Sequence, residues 1–219
     1  MITGRITVEY ITHSGNDLLV VNAARVSMDR HHESLTNADI SLLKYLAKNG
    51  HWSPFSHPQM TVCVSAPIFV ARQLFRHQVG LTVNEVSRRY VSAKPEIFAP
   101  DVFRKAPDQN IKQGSGGPVS AANQEAAKRI YDLLAHHALD AYDAMLDHGI
   151  APEQARMVLP QSMMTKWYWT GSLYAFYRVV KLRIAEDAQY ESRQVAIPLH
   201  NCLQSLFPYS YGALCENVT

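Results

Sequence analysis

Apolar and polar positions divide the chain into elements before any chemistry is considered. RITVEYI (5–11) alternates and is rich in β-formers, which predicts a strand. NDLLVVNAARVS (16–27) and ADISLLKYLAKN (38–49) repeat apolar groups at helical spacing, and Gly50 stops the second helix. Turn formers in HWSPFSHPQ lead into a β-rich segment, Met60–Ser65. Pro67 then opens a helix PIFVARQLFRH, because a first-turn residue needs no N–H donor. Residues 79–86 read as a loop or strained turn. Beyond them, 121–148 is a long amphipathic helix ended by Gly149, 152–158 a short helix stopped by Pro160, and MMTKWYWT (163–170) is β-rich. Residues 172–183 and 187–206 are helical, with Pro198 bending or breaking the second of these helices. KAPDQNIKQGSGGPVS (105–120) is the flexible stretch, a surface loop because helical periodicity resumes at once. The pattern predicts one α+β domain over 1–219, with few strands, more helix and no internal repeats.

Composition narrows the class. A chain of 219 residues with 47% apolar content buries a sizeable core without staples. A net charge of +2 argues against a general nucleic-acid surface, so any positive charge that matters is local. Cys63, Cys202 and Cys215 are an odd number and widely spaced, which fits a reducing cytosol and neither a disulfide framework nor a four-thiolate zinc site. The start, MITGRITVEY, lacks the charged and apolar regions of a signal peptide, and no apolar run approaches the ~20 residues that span a bilayer. A cytoplasmic protein is expected.

Candidate chemistry concentrates in FRHQVGLTVNEVSRRY (75–90). On the predicted helix, Arg72 and Arg76 share a face while Gln73 and His77 form the neighbouring row. Cations in a last turn also simply complement the helix dipole. Asn84, Glu85, Ser87, Arg88 and Arg89 then crowd donors, an acid and two guanidiniums together. Arginine forks with a serine suit a nucleotide phosphate. Arg156 in EQARMVLP and Arg183 in LRIAEDAQ each read, in isolation, as a helix-end charge. His31-His32-Glu33, His51, His57 and His136-His137 match no metalloprotease or zinc spacing, so no metal is expected. Cys63 in QMTVCVSA reads as a packed small hydrophobe rather than a nucleophile.

AARVS (23–27), GHWSPFSH (50–57), APIFVARQLFRH (66–77), NEVSRRY (84–90), ARMVLP (155–160) and LRIAEDAQ (182–189) together resemble the flavin-dependent thymidylate synthases. RHQ, a spacer and Ser87 parallel that family's RHR, seven residues, Ser signature. The resemblance implies a small antiparallel sheet flanked by helices, a homotetramer with active sites at subunit interfaces, and no membrane or nucleic-acid partner. It implies FAD, dUMP as substrate, 5,10-methylenetetrahydrofolate as carbon donor and NADPH as reductant. By position, Ser53, Arg76, His77, Gln78, Glu85, Ser172, Tyr174 and Arg178 would contact FAD. Gln73, Arg76, Glu85, Ser87, Arg88, Arg89, Arg156 and Arg183 would hold dUMP, with Arg89 and Arg156 at its phosphate. Arg183 would be catalytic, lying against the uracil and favouring its N3-deprotonated form, as an oxyanion site stabilises charge. His51 and Tyr90 would face folate or flavin.

The chain departs from the family pattern at Gln78, where a second arginine is usual, and by one extra residue before Ser87. Ser172, Tyr174 and Arg178 also differ from the usual Asn-x-Arg and later Asn; Arg178 lies one turn beyond Tyr174 and can restore its charge. The leading expectation is dTMP formation. The alternatives are a hydroxymethylase giving 5-hydroxymethyl-dUMP and a non-catalytic nucleotide- or RNA-binding module.

Overall fold

The computed structural model describes residues 2–91, 93–107 and 114–216. Chain order runs β1 (Ile2–Gly4), β2 (Thr7–Ser14), α1 (Asp17–Arg25), α2 (Asn37–Lys48), β3 (Gln59–Pro67), α3 (Ile68–Leu74), β4 (Leu81–Glu85) and β5 (Ile97–Phe98). It continues through α4 (Ala121–Asp147), α5 (Pro152–Ala155), β6 (Met164–Ser172), α6 (Leu173–Arg183), α7 (Tyr190–Leu206) and α8 (Pro208–Glu216). Single 3-10 turns follow α1, precede β3 and follow α5.

Four strands form an antiparallel sheet in the order β2-β3-β6-β4. Period-two patterning sets its register: Val62 pairs with Trp169 and Val64 with Trp167, so the same face of both strands is apolar. Against that face pack α1, α2, α3, α6, α7 and α8, enclosing Phe55, Leu74, Phe176, Leu199 and Phe207. β1 and β5 pair in parallel beside a smaller cluster, Ile97, Ala135, Leu139 and Met163, which seats α4. The α+β class with a small antiparallel sheet and flanking helices is as expected. No helix among the described residues is long and apolar enough to cross a membrane.

The structure corrects several sequence expectations. The helix read as 67–77 stops at Leu74, so Arg76 and His77 lie in the following turn, not on a helical face with Arg72 and Gln73. Residues 79–86 are not simply loop: 81–85 form β4, an edge strand whose hydrogen bonds come from β6, a partner remote in sequence. Close approach makes this pairing possible. A Cβ on Gly171 would lie 2.8 Å from the Gly80 carbonyl, and Gly80 itself has φ +75°. Pro198 is inside α7 without ending it, 152–158 divides into α5 and a 3-10 turn, and α8 was not anticipated.

The flanks of the 105–120 loop are tied together by Lys105 N–H to Gly117 O and Gly116 N–H to Lys105 O, both 2.9 Å. Arg104 anchors them to α7 through Glu191 (2.5 Å) and the Tyr190 ring. Residues 108–113, the centre of that predicted flexible stretch, lie outside the described residues.

Candidate active site

Two chain reversals bring distant cations together. After α3, His77 N–H bonds to Leu74 O (3.0 Å) and closes the turn that carries Arg76 and His77. After β6, Ser172 caps α6 by accepting from Ala175 N–H (3.2 Å), and α6 carries Arg178 and ends at Arg183. Arg183 Nε donates to His77 Nε2 at 3.1 Å, which requires His77 to be neutral with its proton on Nδ1. The electrostatics agree. Burial, then the Arg183 and Arg178 charges, hold the His77 pKa below its usual value. Burial and nearby Arg76 lower that of Arg183 in the same way. No member of the group Arg76, His77, Arg178 and Arg183 has an acidic ion-pair partner among the described residues. Gln73 lies one turn before Arg76, and its side-chain carbonyl accepts from the buried Ser192 hydroxyl on α7, leaving the amide nitrogen as donor.

A second set lines a groove of about 520 Å³ between α3, the end of β4 and the turn after α5. Glu85, Ser87, Arg88 and Arg156 meet there, beside Arg72 and Glu153. Glu85 is fixed by the buried Thr165 hydroxyl, which donates to Oε1 at 2.6 Å, and Arg88 by the carbonyl of Ala93. Arg89 does not line the groove: its guanidinium lies over the Tyr90 ring at 5.3 Å, and Tyr90 is 80% exposed. No hydrogen bond or ion pair among the described residues joins this set to the Arg183 group.

Trp52 and Tyr174, with ring centroids 6.0 Å apart, stand between two further cavities. One, about 370 Å³, is lined by His51, Tyr177, Arg178 and Lys181; the other, about 480 Å³, by Gly80, Thr170, Ser172 and Arg178. Ser172, Tyr174 and Arg178 are thus neighbours, and His51 joins two of them. Ser53 is exposed in the 3-10 turn and lines neither cavity, and Gln78 is exposed, its backbone carbonyl accepting from Leu81 N–H. Sequence reasoning did not select Trp52, Thr165, Lys181 or Ser192. Trp52 sits inside the quoted GHWSPFSH motif and was findable, whereas Thr165 and Ser192 acquire meaning only through contacts 80 and 119 residues away in sequence.

Residues 9–209 match the family model described as thymidylate synthase complementing protein. The chain belongs to that family. Among its relatives, a flavin-dependent thymidylate synthase of Thermus thermophilus is 38% identical over 211 residues, 96% of this chain and 76% of that one. One of Thermosipho africanus is 35% identical over 205 residues, covering 92% and 87%. The fold is shared with the crystal structure of a UMP/dUMP methylase, PolB, from Streptomyces cacaoi bound with 5-Br dUMP. The TM-score is 0.86 at 31% identity, over 98% of this chain and 97% of that one.

Proposed function

We propose that the protein is a flavin-dependent thymidylate synthase, methylating dUMP at C5 to dTMP with carbon from 5,10-methylenetetrahydrofolate and reducing power from NADPH. The observation that carries this reading is the cation group around Arg183, which has no acidic ion-pair partner among the described residues. Cations gathered by the fold without a counter-charge are electrostatically unfavourable by themselves, and an anionic ligand relieves the repulsion. The residues present fit FAD: a flavin diphosphate suits Arg178 and Lys181, and planar rings suit Trp52 and Tyr174. Ser172, Tyr174, Arg178, His77 and the backbone near Gln78 would hold it. When bound, FAD supplies the hydride.

The chain's own part is binding and charge placement. Arg183, presented by neutral His77, would stabilise negative charge in the uracil ring, the role a thiolate adding at C6 would otherwise serve. Gln73, turned by Ser192, would donate to the nucleotide. Ser87, Arg88 and Arg156 would take the phosphate in the groove, with Glu85 held beside them, and Arg89 and Tyr90 available from the exposed side. In a homotetramer, the groove of one subunit would face the Arg183 group of another, and the two sets held apart in a single chain would then form one site.

Incubating the purified protein with dUMP, methylenetetrahydrofolate, FAD and NADPH, followed by mass spectrometry of the nucleotide, tests this. The expected product is dTMP. A product one oxygen heavier assigns a hydroxymethylase, and no C5-alkylated product defeats the synthase reading.

A further inference from the structure

The 520 Å³ groove contains a cation to which the reading above gives no task. Arg72 lines it from the last turn of α3, is exposed, and makes no hydrogen bond or ion pair among the described residues. Among the described residues it donates to no carbonyl at its own helix end. The carbonyls of Ala71 and Leu74 at that helix end already accept from Phe75 and His77 N–H, at 2.8 and 3.0 Å. Nor is it paired with the acids beside it, since Glu85 is engaged by Thr165 and no ion pair forms with Glu153.

Charge decides what Arg72 changes. Without it, Arg88 and Arg156 face Glu85 and Glu153, and the groove has no net attraction for an anion. With it the groove is positive, and a phosphomonoester, carrying about −1.5 to −2 charges at neutral pH, is the fitting ligand. Guanidinium forks bind such a group through paired N–H donors, and the Ser87 hydroxyl in the same groove adds one more.

We propose that Arg72 is a third guanidinium ligand of the nucleotide's 5′-phosphate, acting with Arg88 and Arg156. This rests on the dUMP reading and assigns the two ends of the nucleotide to different surfaces. The Arg72 groove takes the phosphate; the Arg183 group takes the base.

Equilibrium dialysis on the full-length protein with FAD tests it, using dUMP, deoxyuridine and inorganic phosphate as probes. Arg72→Gln is expected to weaken dUMP about tenfold and to raise the inhibition constant of inorganic phosphate, corrected for dUMP affinity, by a comparable factor. Deoxyuridine, which has no phosphate, is expected to bind the variant as it binds wild type, and Arg72→Lys to recover part of the loss. Equal weakening of dUMP and deoxyuridine would show a general structural role and overturn the assignment. So would unchanged dUMP affinity in Arg72→Gln while wild type binds dUMP. Failure of wild type to bind dUMP at all would overturn both this inference and the nucleotide reading beneath it.

Discussion

Asp39 and Arg183 both sit among cationic side chains, yet their surroundings differ in every other respect. The Asp39 carboxylate is fully buried. It accepts from Arg25 at 3.0 and 2.7 Å, from His32 at 2.9 Å, and from the Thr36 backbone and hydroxyl at 3.1 and 2.7 Å. Burial alone would raise its pKa, but the bonds from Thr36, His32 and Arg25 outweigh this and hold the carboxyl well below the usual range. Around Arg183 the positive charges meet one another and a neutral histidine, with no acidic ion-pair partner among the described residues. The first arrangement is complete within the chain and pins the α1–α2 connection. The second has no acidic ion-pair partner among the described residues, and an anionic ligand is what the proposed function would add to it. Perturbed charges mark sites, and comparing these two shows how to separate a structural network from a binding one.

Removing Arg183 gives the largest expected effect. Arg183→Ala should lower kcat by about 10²–10³-fold, the range seen when one preorganised donor to a developing anion is removed. It should leave the melting temperature unchanged or slightly higher, because a repulsive partner of Arg76 is gone. Near-normal turnover in steady-state assays would reject the activation role and weaken the contrast with Asp39.

Asp39→Asn should do the opposite. It leaves Arg25 largely buried and unpaired, and it should lower unfolding free energy by about 3 kcal/mol in urea titrations. Flavin binding in the protein that remains folded should be little altered. The pH dependence sharpens this. The folded carboxyl has the lower pKa, so the unfolded state binds more protons, and stability is present above an ordinary aspartate's ~3.9 and lost as pH falls below it. His77 acts in a higher window with the same sign. Its folded pKa lies below its ordinary 6.5, so stability declines as pH falls through that value. Acid titration of Asp39→Asn should retain the upper step and lose much of the lower one. Loss of the upper step instead would show the two networks to be coupled.

How legible these features were depends on whether they were local. Alternation in 5–11 and the β-rich runs at 60–65 and 163–170 placed β2, β3 and β6, and helical spacing placed α2; the capping box of α2, in which Thr36 and Asp39 serve each other, is just as local but was not read. β4 was missed because LTVNE is short, half polar and exposed, and it becomes a strand only when β6 supplies the partner. α8 was missed because PYSYGALCE carries proline, glycine and serine. It is held as a helix by packing on α2 and by buried Asp17, which accepts from Tyr209 and Ser210 N–H. At the candidate site, Arg76, His77, Arg178 and Arg183 could each be named from motifs. Their convergence could not, because it needs both chain reversals. The separation of Arg88 from Arg89 was also invisible: adjacent in sequence, one enters the groove and the other lies over Tyr90.

The smallest expected effect belongs to a residue outside both networks. Cys63 is buried in β3 between Glu9 of β2 and Tyr168 of β6, on the sheet face opposite Val62 and Val64. It lines neither the groove nor the two cavities around Trp52. Its thiol packs as a small hydrophobe, and Cys63→Ala removes one sulfur from a site already crowded by strands on both sides. The variant should lose about 1 kcal/mol of stability and keep its turnover within about twofold. Chemical denaturation paired with the dTMP assay checks both halves. A folded but inactive Cys63→Ala protein would mean that a thiolate activates the pyrimidine after all, and the unpaired charge around Arg183 would then need another explanation.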